Sequence, residues 1–275
     1  FNEKTDIDWY NILSLYDIAY LSCRGGWPGT LKMRPEIALE QPYEYNEAVV
    51  NSDINRADGI SKNPERVKLL MRSFARNIGT QVTNSVFMED VNKNRDFSIS
   101  ENTVSLYITA LKNIFVIEDM PAWNPNLRSK TAIRSSDTRY FVDPSIAVAS
   151  LNIGPNDLIS DLNTFGFIFE NLCIRDLRVY SDALNGTVYH YRDKSGLECD
   201  SVIHLRNGKY GLVEIKLGGD KLIEEGAKSL LKLKDHIDTD KMKEPSFMMI
   251  ITALGDYAYR RKDGILIVPI GCLKN

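Results

Sequence analysis

The chain has 275 residues, 43% hydrophobic and 26% charged, enough for a sizeable core in one large or two modest domains. Its formal net charge of −3 gives no global basic footprint for nucleic acid, so any such surface has to be local. No apolar run approaches the ~20 residues of a membrane span and no secretory signal is visible, and four cysteines without CxxC spacing read as free, buried thiols of a cytoplasmic protein.

The first 60 residues carry five Lys/Arg against ten Asp/Glu and read as a helical segment. Within 5–24, Trp9, Ile12, Leu13, Tyr16 and Tyr20 recur at helical spacing. Arg24-Gly25-Gly26-Trp27-Pro28-Gly29 then breaks the chain, either as an anion-binding loop or as a turn joining two helices. Residues 36–57 read as helix again.

Residues 61–153 form the second expected domain. Pro64 suits the first turn of a helix with Val67, Leu70, Met71, Phe74 and Ile78 inward. A short helix over 82–91 follows, then a third over 98–115. That third helix opens on a Ser98-x-x-Glu101 capping box, and its core stripe is Val104, Tyr107, Ile108, Leu111 and Phe115. Two extended segments, 116–123 and 131–142, complete the order of a winged-helix domain, a fold that often sets its third helix in the DNA major groove. Here that helix presents Asn102, Ser105, Thr109, Lys112 and Asn113, with only one basic residue. The cations gather instead in the wing, at Arg128, Lys130, Arg134 and Arg139. They serve either to grip phosphate or as the solvated charges of a protein-binding module.

Residues 154–275 form the third expected domain, an α/β unit in which a mixed β-sheet is flanked by helices. An apolar helix over 161–180 carries Glu170 among apolar neighbours, and a strand over 187–192 follows. Two strands over 197–205 and 210–217 are joined by Arg206-Asn207-Gly208-Lys209, a strong hairpin signal. A helix over 221–237 and buried strands over 246–254 and 264–270 complete the unit, with a basic, aromatic stretch at 257–262 between the last two. Strand alternation puts Glu198, Asp200 and Val202 on one face, and Tyr210, Leu212, Glu214 and Lys216 on one face of the next strand. Two acids and an amine therefore converge on rigid strands.

The pattern is Asp200, thirteen intervening residues, then Glu214-Ile215-Lys216. It resembles the PD-(D/E)xK nuclease superfamily and its restriction-endonuclease-like fold, with Glu170 matching the glutamate of the preceding helix and Cys199 standing where the family often has proline. The resemblance implies a catalytic set of Asp200, Glu214, Lys216 and Glu170. Asp200, Glu214 and the Ile215 carbonyl would hold Mg²⁺, a hard cation suited to such oxygens. Lys216 would orient water or offset phosphoanion charge.

Further stretches are Arg24-Gly25-Gly26-Trp27-Pro28, Arg139-Tyr140-Phe141-Val142-Asp143-Pro144, Gly166-x-x-Phe169-Glu170-Asn171, Glu198-x-Asp200 and Val213-Glu214-Ile215-Lys216. With these the chain resembles, over nearly its whole length, the C-terminal region of a family of prokaryotic AAA+-type P-loop ATPases. The resemblance implies a parent protein that uses ATP in an N-terminal domain; the chain itself shows no G-x-x-x-x-G-K-[ST] phosphate loop. The expected function is a DNA-binding, nuclease-like module with Mg²⁺ as cofactor. DNA would meet the wing and the hairpin face. The alternative is a non-catalytic regulatory or interaction module of the ATPase.

Overall fold

The computed structural model describes residues 10–93, 98–124, 136–237 and 242–273. Two compact units emerge: a helical unit of residues Ala19–Asp119 and Arg139–Asn171, and a sheet unit of Phe1–Ile18, Met120–Thr138 and Leu172–Asn275. The boundaries expected at 60/61 and 153/154 both fall inside the helical unit.

The helical unit takes α1 (Leu15–Arg24) from Ala19 onward. It continues through a 3₁₀ turn (Pro28–Lys32), α2 (Pro35–Ala48), a π-helical turn (Val49–Asp53) and the single turn α3 (Ile54–Arg56). Of the helical stretch expected over 5–24, residues 5–9 lie outside the described residues, residues 10–14 are not helical, and α1 begins at Leu15. The glycine-containing loop after α1 is a turn. Gly25 sits at φ +75, where a Cβ would lie 2.4 Å from Ser145 Oγ. Gly26 N–H donates to Asp143 Oδ2 (2.9 Å) and Trp27 Nε1–H to Ser145 Oγ (3.0 Å). The loop's donors thus serve a carboxylate and a hydroxyl of the protein itself.

Three helices follow: α4 (Pro64–Arg76), α5 (Asn84–Asn92) and α6 (Glu101–Asn113). Asn63 caps α4 by accepting from Arg66 N–H, with Pro64 in the first turn. The α4 stripe of Val67, Leu70, Met71 and Phe74 is buried, and Phe74 packs on Phe87 and Phe141 with ring centroids 5.6 and 5.0 Å apart. The cap of α6 differs from the expectation. Ser100, not Ser98, accepts from Thr103 N–H, and the helix starts at Glu101. Phe115 also leaves the expected core stripe. The helix closes at Asn113, Phe115 adopts φ +56 and stands 77% exposed, and Val116 is buried in its place.

Strands β1 (Ile117–Met120) and β2 (Thr138–Phe141) pair as a two-stranded sheet, and Thr80 adds an antiparallel bridge to Arg139. Three helices close this stretch: α7 (Pro144–Leu151), α8 (Pro155–Ser160) and α9 (Leu162–Ala183), whose residues from Leu172 onward belong to the sheet unit.

The sheet unit holds β3 (Gly186–Arg192), β4 (Glu198–Leu205), β5 (Tyr210–Lys216), α10 (Asp220–His236), β6 (Phe247–Thr252), β7 (Tyr259–Arg260) and β8 (Leu266–Pro269). Among the described residues these strands form one sheet in the order β3-β4-β5-β6-β8-β7, parallel across β5-β6-β8 and antiparallel elsewhere. The fold is therefore mixed α/β, a helical N-terminal part followed by a mixed sheet flanked by helices.

Ala227, Leu230 and Leu233 of α10 join Val202, Tyr210, Leu212, Ile250 and Ile267 in one apolar cluster. Each fully buried Leu or Ile there is worth roughly 1.5–3 kcal/mol of transfer free energy. Trp123 belongs to the same cluster. It donates from its backbone to His190 O (2.6 Å) and from Nε1 to His204 Nδ1 (3.1 Å). At the far edge, Tyr10 bridges Tyr257, and Asn11 donates from N to Asp256 O (2.7 Å) and from Nδ2 to Gly255 O (2.8 Å). All four cysteines are buried. Among the described residues no helix is long and apolar enough to cross a membrane.

Candidate active site

The hairpin closes as read. Leu205 N–H bonds Lys209 O (2.8 Å) around Arg206-Asn207-Gly208, with Gly208 at φ +81. Its other end is less regular. Tyr189 pairs with Val202 and Tyr191 with Cys199, so two steps along β3 match three along β4, and Asp200 and Ser201 together oppose His190. This is a β-bulge, and it re-aims the side chains beyond it. Cys199 turns into the apolar cluster with Val202, while Glu198 stays exposed and pairs with Arg192. The simple alternation of Glu198, Asp200 and Val202 is broken there.

The ladder between β4 and β5 runs from His204–Tyr210 to Ser201–Val213. Beyond it, side chains join the strands. The Cys199 thiol donates to Ser201 O and Val213 O, both at 3.3 Å. Asp200 Oδ2 accepts from Ile215 N–H at 2.7 Å. The N–H and C=O of a strand residue leave by the same edge, so the Ile215 carbonyl faces the same gap. Lys216 reaches across it, with Nζ 3.0 Å from Asp200 Oδ2 and 2.6 Å from Glu214 Oε2.

Glu214 is 4% exposed. Burial, and then the neighbouring Asp200 carboxylate, push its carboxyl up to about 8, and Lys216 offsets only part of this. For Lys216, burial pulls the ammonium down, but the two carboxylates outweigh it and hold the amine well above its ordinary value. Of the trio, Glu214 is the carboxyl that its surroundings push toward the neutral form. Helix α10 lies close over it. A Cβ on Gly226 would sit 3.5 Å from Glu214 Cβ and 3.6 Å from Lys216 Cε, at ordinary contact distance. Thr252, which the sequence reading missed, pairs with Lys216 in register; its hydroxyl is buried and has no hydrogen-bond partner among the described residues. Its signal in the sequence was faint, a hydroxyl late in an otherwise apolar strand.

The donor set fits a hard divalent cation in kind: two carboxylates and a carbonyl at one gap. No cluster of three or more His, Cys, Asp or Glu side chains forms among the described residues, so waters would complete such a shell. Glu170 belongs to the helical unit, where its Oε1 accepts from Tyr140 Oη at 2.5 Å.

Residues 15–157 match the model of a family described as a domain of unknown function, DUF8612. The chain belongs to the DUF8612 family. Residues 165–273, which hold Glu170, Asp200, Glu214 and Lys216, match a second domain of unknown function, DUF4143. No curated protein matches the chain.

The DUF8612 region contains the four wing cations. Arg128, Lys130 and Arg134 lie outside the described residues. Arg139 is half-buried: its Nη1 donates to Asn84 Oδ1 (2.9 Å) and its guanidinium stacks on Phe87, 5.2 Å from the ring centroid. On α6 of the same region, Asn102, Ser105, Thr109 and Asn113 are exposed together with Leu106, while Lys112 is paired with Asp119. That face is neutral.

Proposed function

We propose that the sheet unit is a metal-dependent phosphodiesterase module of the restriction-endonuclease-like kind, acting on DNA. The carrying observation is the convergence of Asp200, Glu214 and Lys216 where β4 and β5 part. In this reading Asp200, Glu214 and the Ile215 carbonyl hold Mg²⁺. The ion, when bound, polarises the scissile phosphate and acidifies a water. Lys216 supplies positive charge to the phosphate oxygens from a position held by both carboxylates, and the thiol of Cys199 links the strands beside Asp200. Glu170 is assigned the outer ligand position on the family resemblance alone.

The helical unit is read as a winged-helix module, supported by the order α4, α5, α6, β1, β2 and by the Thr80–Arg139 bridge that gives the ribbon a third short strand. Its wing cations are the proposed DNA contacts. A cytoplasmic setting and a parent ATPase complete the proposal; DUF4143 is common in ATPase-associated proteins. Incubating the chain with supercoiled, linear and branched DNA in Mg²⁺ or Mn²⁺ tests the catalytic reading. Cleavage that disappears in Glu214→Ala and Lys216→Ala supports it, and identical behaviour of wild type and variants ends it.

A second reading has its own support. The neutral α6 face and the internal pairing of Lys216 suit a non-catalytic platform for the ATPase. That reading expects no shift in melting temperature with divalent metal and no salt-sensitive DNA binding.

A further inference from the structure

Tyr257 and Tyr259 follow β6 at the edge of the sheet and are 56% and 43% exposed, with ring centroids 6.1 Å apart and planes inclined by 62°. Tyr259 lies on the edge strand β7 and Tyr257 just before it, so the two rings form one exposed aromatic surface beside the sheet edge. Their register says what they face. Glu214 pairs with Ile250, Ile250 with Ile267, and Ile267 with Tyr259. Directly paired residues share a face, so Tyr259 stands in the same cross-strand row as Glu214, on the same side of the sheet. Three strand spacings separate them, roughly 14 Å. The row one step further along holds Lys216, Thr252 and Pro269.

Between the tyrosines and the hairpin site lies the start of α10. Its N-cap, Gly219, makes no side-chain cap, and Lys221 is exposed in the first turn. Arg261 ties this turn to β7 by donating from Nη2 to Glu224 Oε2 (2.9 Å), and it also binds Asp263. The remaining exposed charges along the track are Lys221, Arg260 and Lys262 against Asp220 and Asp256. With Arg261 counted beside its two acidic partners, four cations stand against four acids and the track carries no net charge. Tyr10, 76% exposed, extends the aromatic surface from its bridge to Tyr257.

We propose that this edge is a stacking platform for single-stranded nucleic acid, leading a strand from Tyr257 and Tyr259, past the first turn of α10, to the Asp200–Glu214–Lys216 site. The inference rests on the phosphodiesterase reading of that site and names its substrate as a strand with unpaired bases. Aromatic rings hold bases through their faces whatever the sequence, and the few cations follow the backbone. With no net positive charge along the track, stacking supplies most of the affinity, and the salt dependence is shallow. Two phosphates neutralised correspond to a slope of about −1.4 in log K against log salt.

The test is fluorescence anisotropy of a labelled oligothymidylate with the full chain in EDTA, so that no cleavage enters. Wild type binds the single strand more tightly than a duplex of equal length. The Tyr257→Ala/Tyr259→Ala variant weakens binding by about 10- to 100-fold, and Tyr257→Phe/Tyr259→Phe retains it, because the ring and not the hydroxyl does the work. Arg260→Gln/Lys262→Gln flattens the salt slope with a smaller loss. No binding by wild type, or equal binding by the alanine variant, overturns the proposal; equal binding is also what a protein-docking patch would give. A cleavage assay in Mg²⁺ or Mn²⁺ separates the two readings: binding by wild type without cleavage ends the catalytic reading and leaves the platform standing, whereas cleavage by wild type that Glu214→Gln loses while binding as tightly supports both.

Discussion

Thr252 is the residue at which local cost and position disagree. A buried hydroxyl without a partner costs about 1–3 kcal/mol, and here it lies beside Lys216 on the neighbouring strand. Thr252→Val keeps the shape and removes the hydroxyl, so it is expected to leave stability unchanged or raise it by about 1 kcal/mol in urea denaturation. A loss instead would mean the hydroxyl is satisfied within the fold.

His190 gives a pH-dependent counterpart. Burial lowers its imidazole to about 4, with the Ser136 carbonyl opposing and Arg192 adding to the shift. A folded value below the unfolded one near 6.5 means its contribution is fully present above about pH 6.5 and is lost as pH falls toward 4. Urea midpoints of wild type should therefore fall between pH 7 and 4.5 more steeply than those of His190→Gln, a difference of up to about 3 kcal/mol. Glu214 and Lys216 were legible on one face because alternation along β5 and an Asn-Gly turn place them, whereas Asp200 reaches them through a bulge that alternation does not show. The Tyr140–Glu170 bond and the stacking of Arg139 on Phe87 were not, since both join residues far apart in sequence.

At the scale of elements, α6 shows how two local signals compete. Ser98-x-x-Glu101 has the spacing of a capping box, yet Ser100 holds the cap. Ser100→Ala should cost about 1 kcal/mol and Ser98→Ala close to nothing, which paired thermal melts resolve. The hairpin teaches the complementary lesson. A period of two predicts faces only while no residue is inserted, and the extra residue opposite His190 shifts the phase at Asp200. Nothing in the local spelling LECDSV marks a bulge, because it is set by pairing with β3. Helices α4, α5, α9 and α10 were legible because their apolar stripes are long, whereas the end of α6 was missed because Phe115 occupies a left-handed position usually given to glycine.

The two units are interleaved along the whole molecule: the chain passes between them after Ile18, Asp119, Thr138 and Asn171. Composition and linker signals cannot show this, since it depends on segments such as Ala122–Trp123 joining β3 at His190. A fragment of residues 154–275, cut where a linker reading suggests, removes Trp123 from its cluster and Asn11 from the sheet edge. That fragment is expected to melt well below the full chain or to lack a cooperative transition in calorimetry, whereas equal stability would show those segments to be dispensable.

The clamp of Asn11 on Gly255 and Asp256 spans 244 residues for its side-chain bond. During synthesis at about 5–20 residues per second, Asn11 waits roughly 10–50 seconds for its partners to be made. For that interval a stretch bearing Tyr10 and Ile12 has no edge to fasten to, so a ribosome-bound chain carries these residues without their partners until the 255–256 segment has been made.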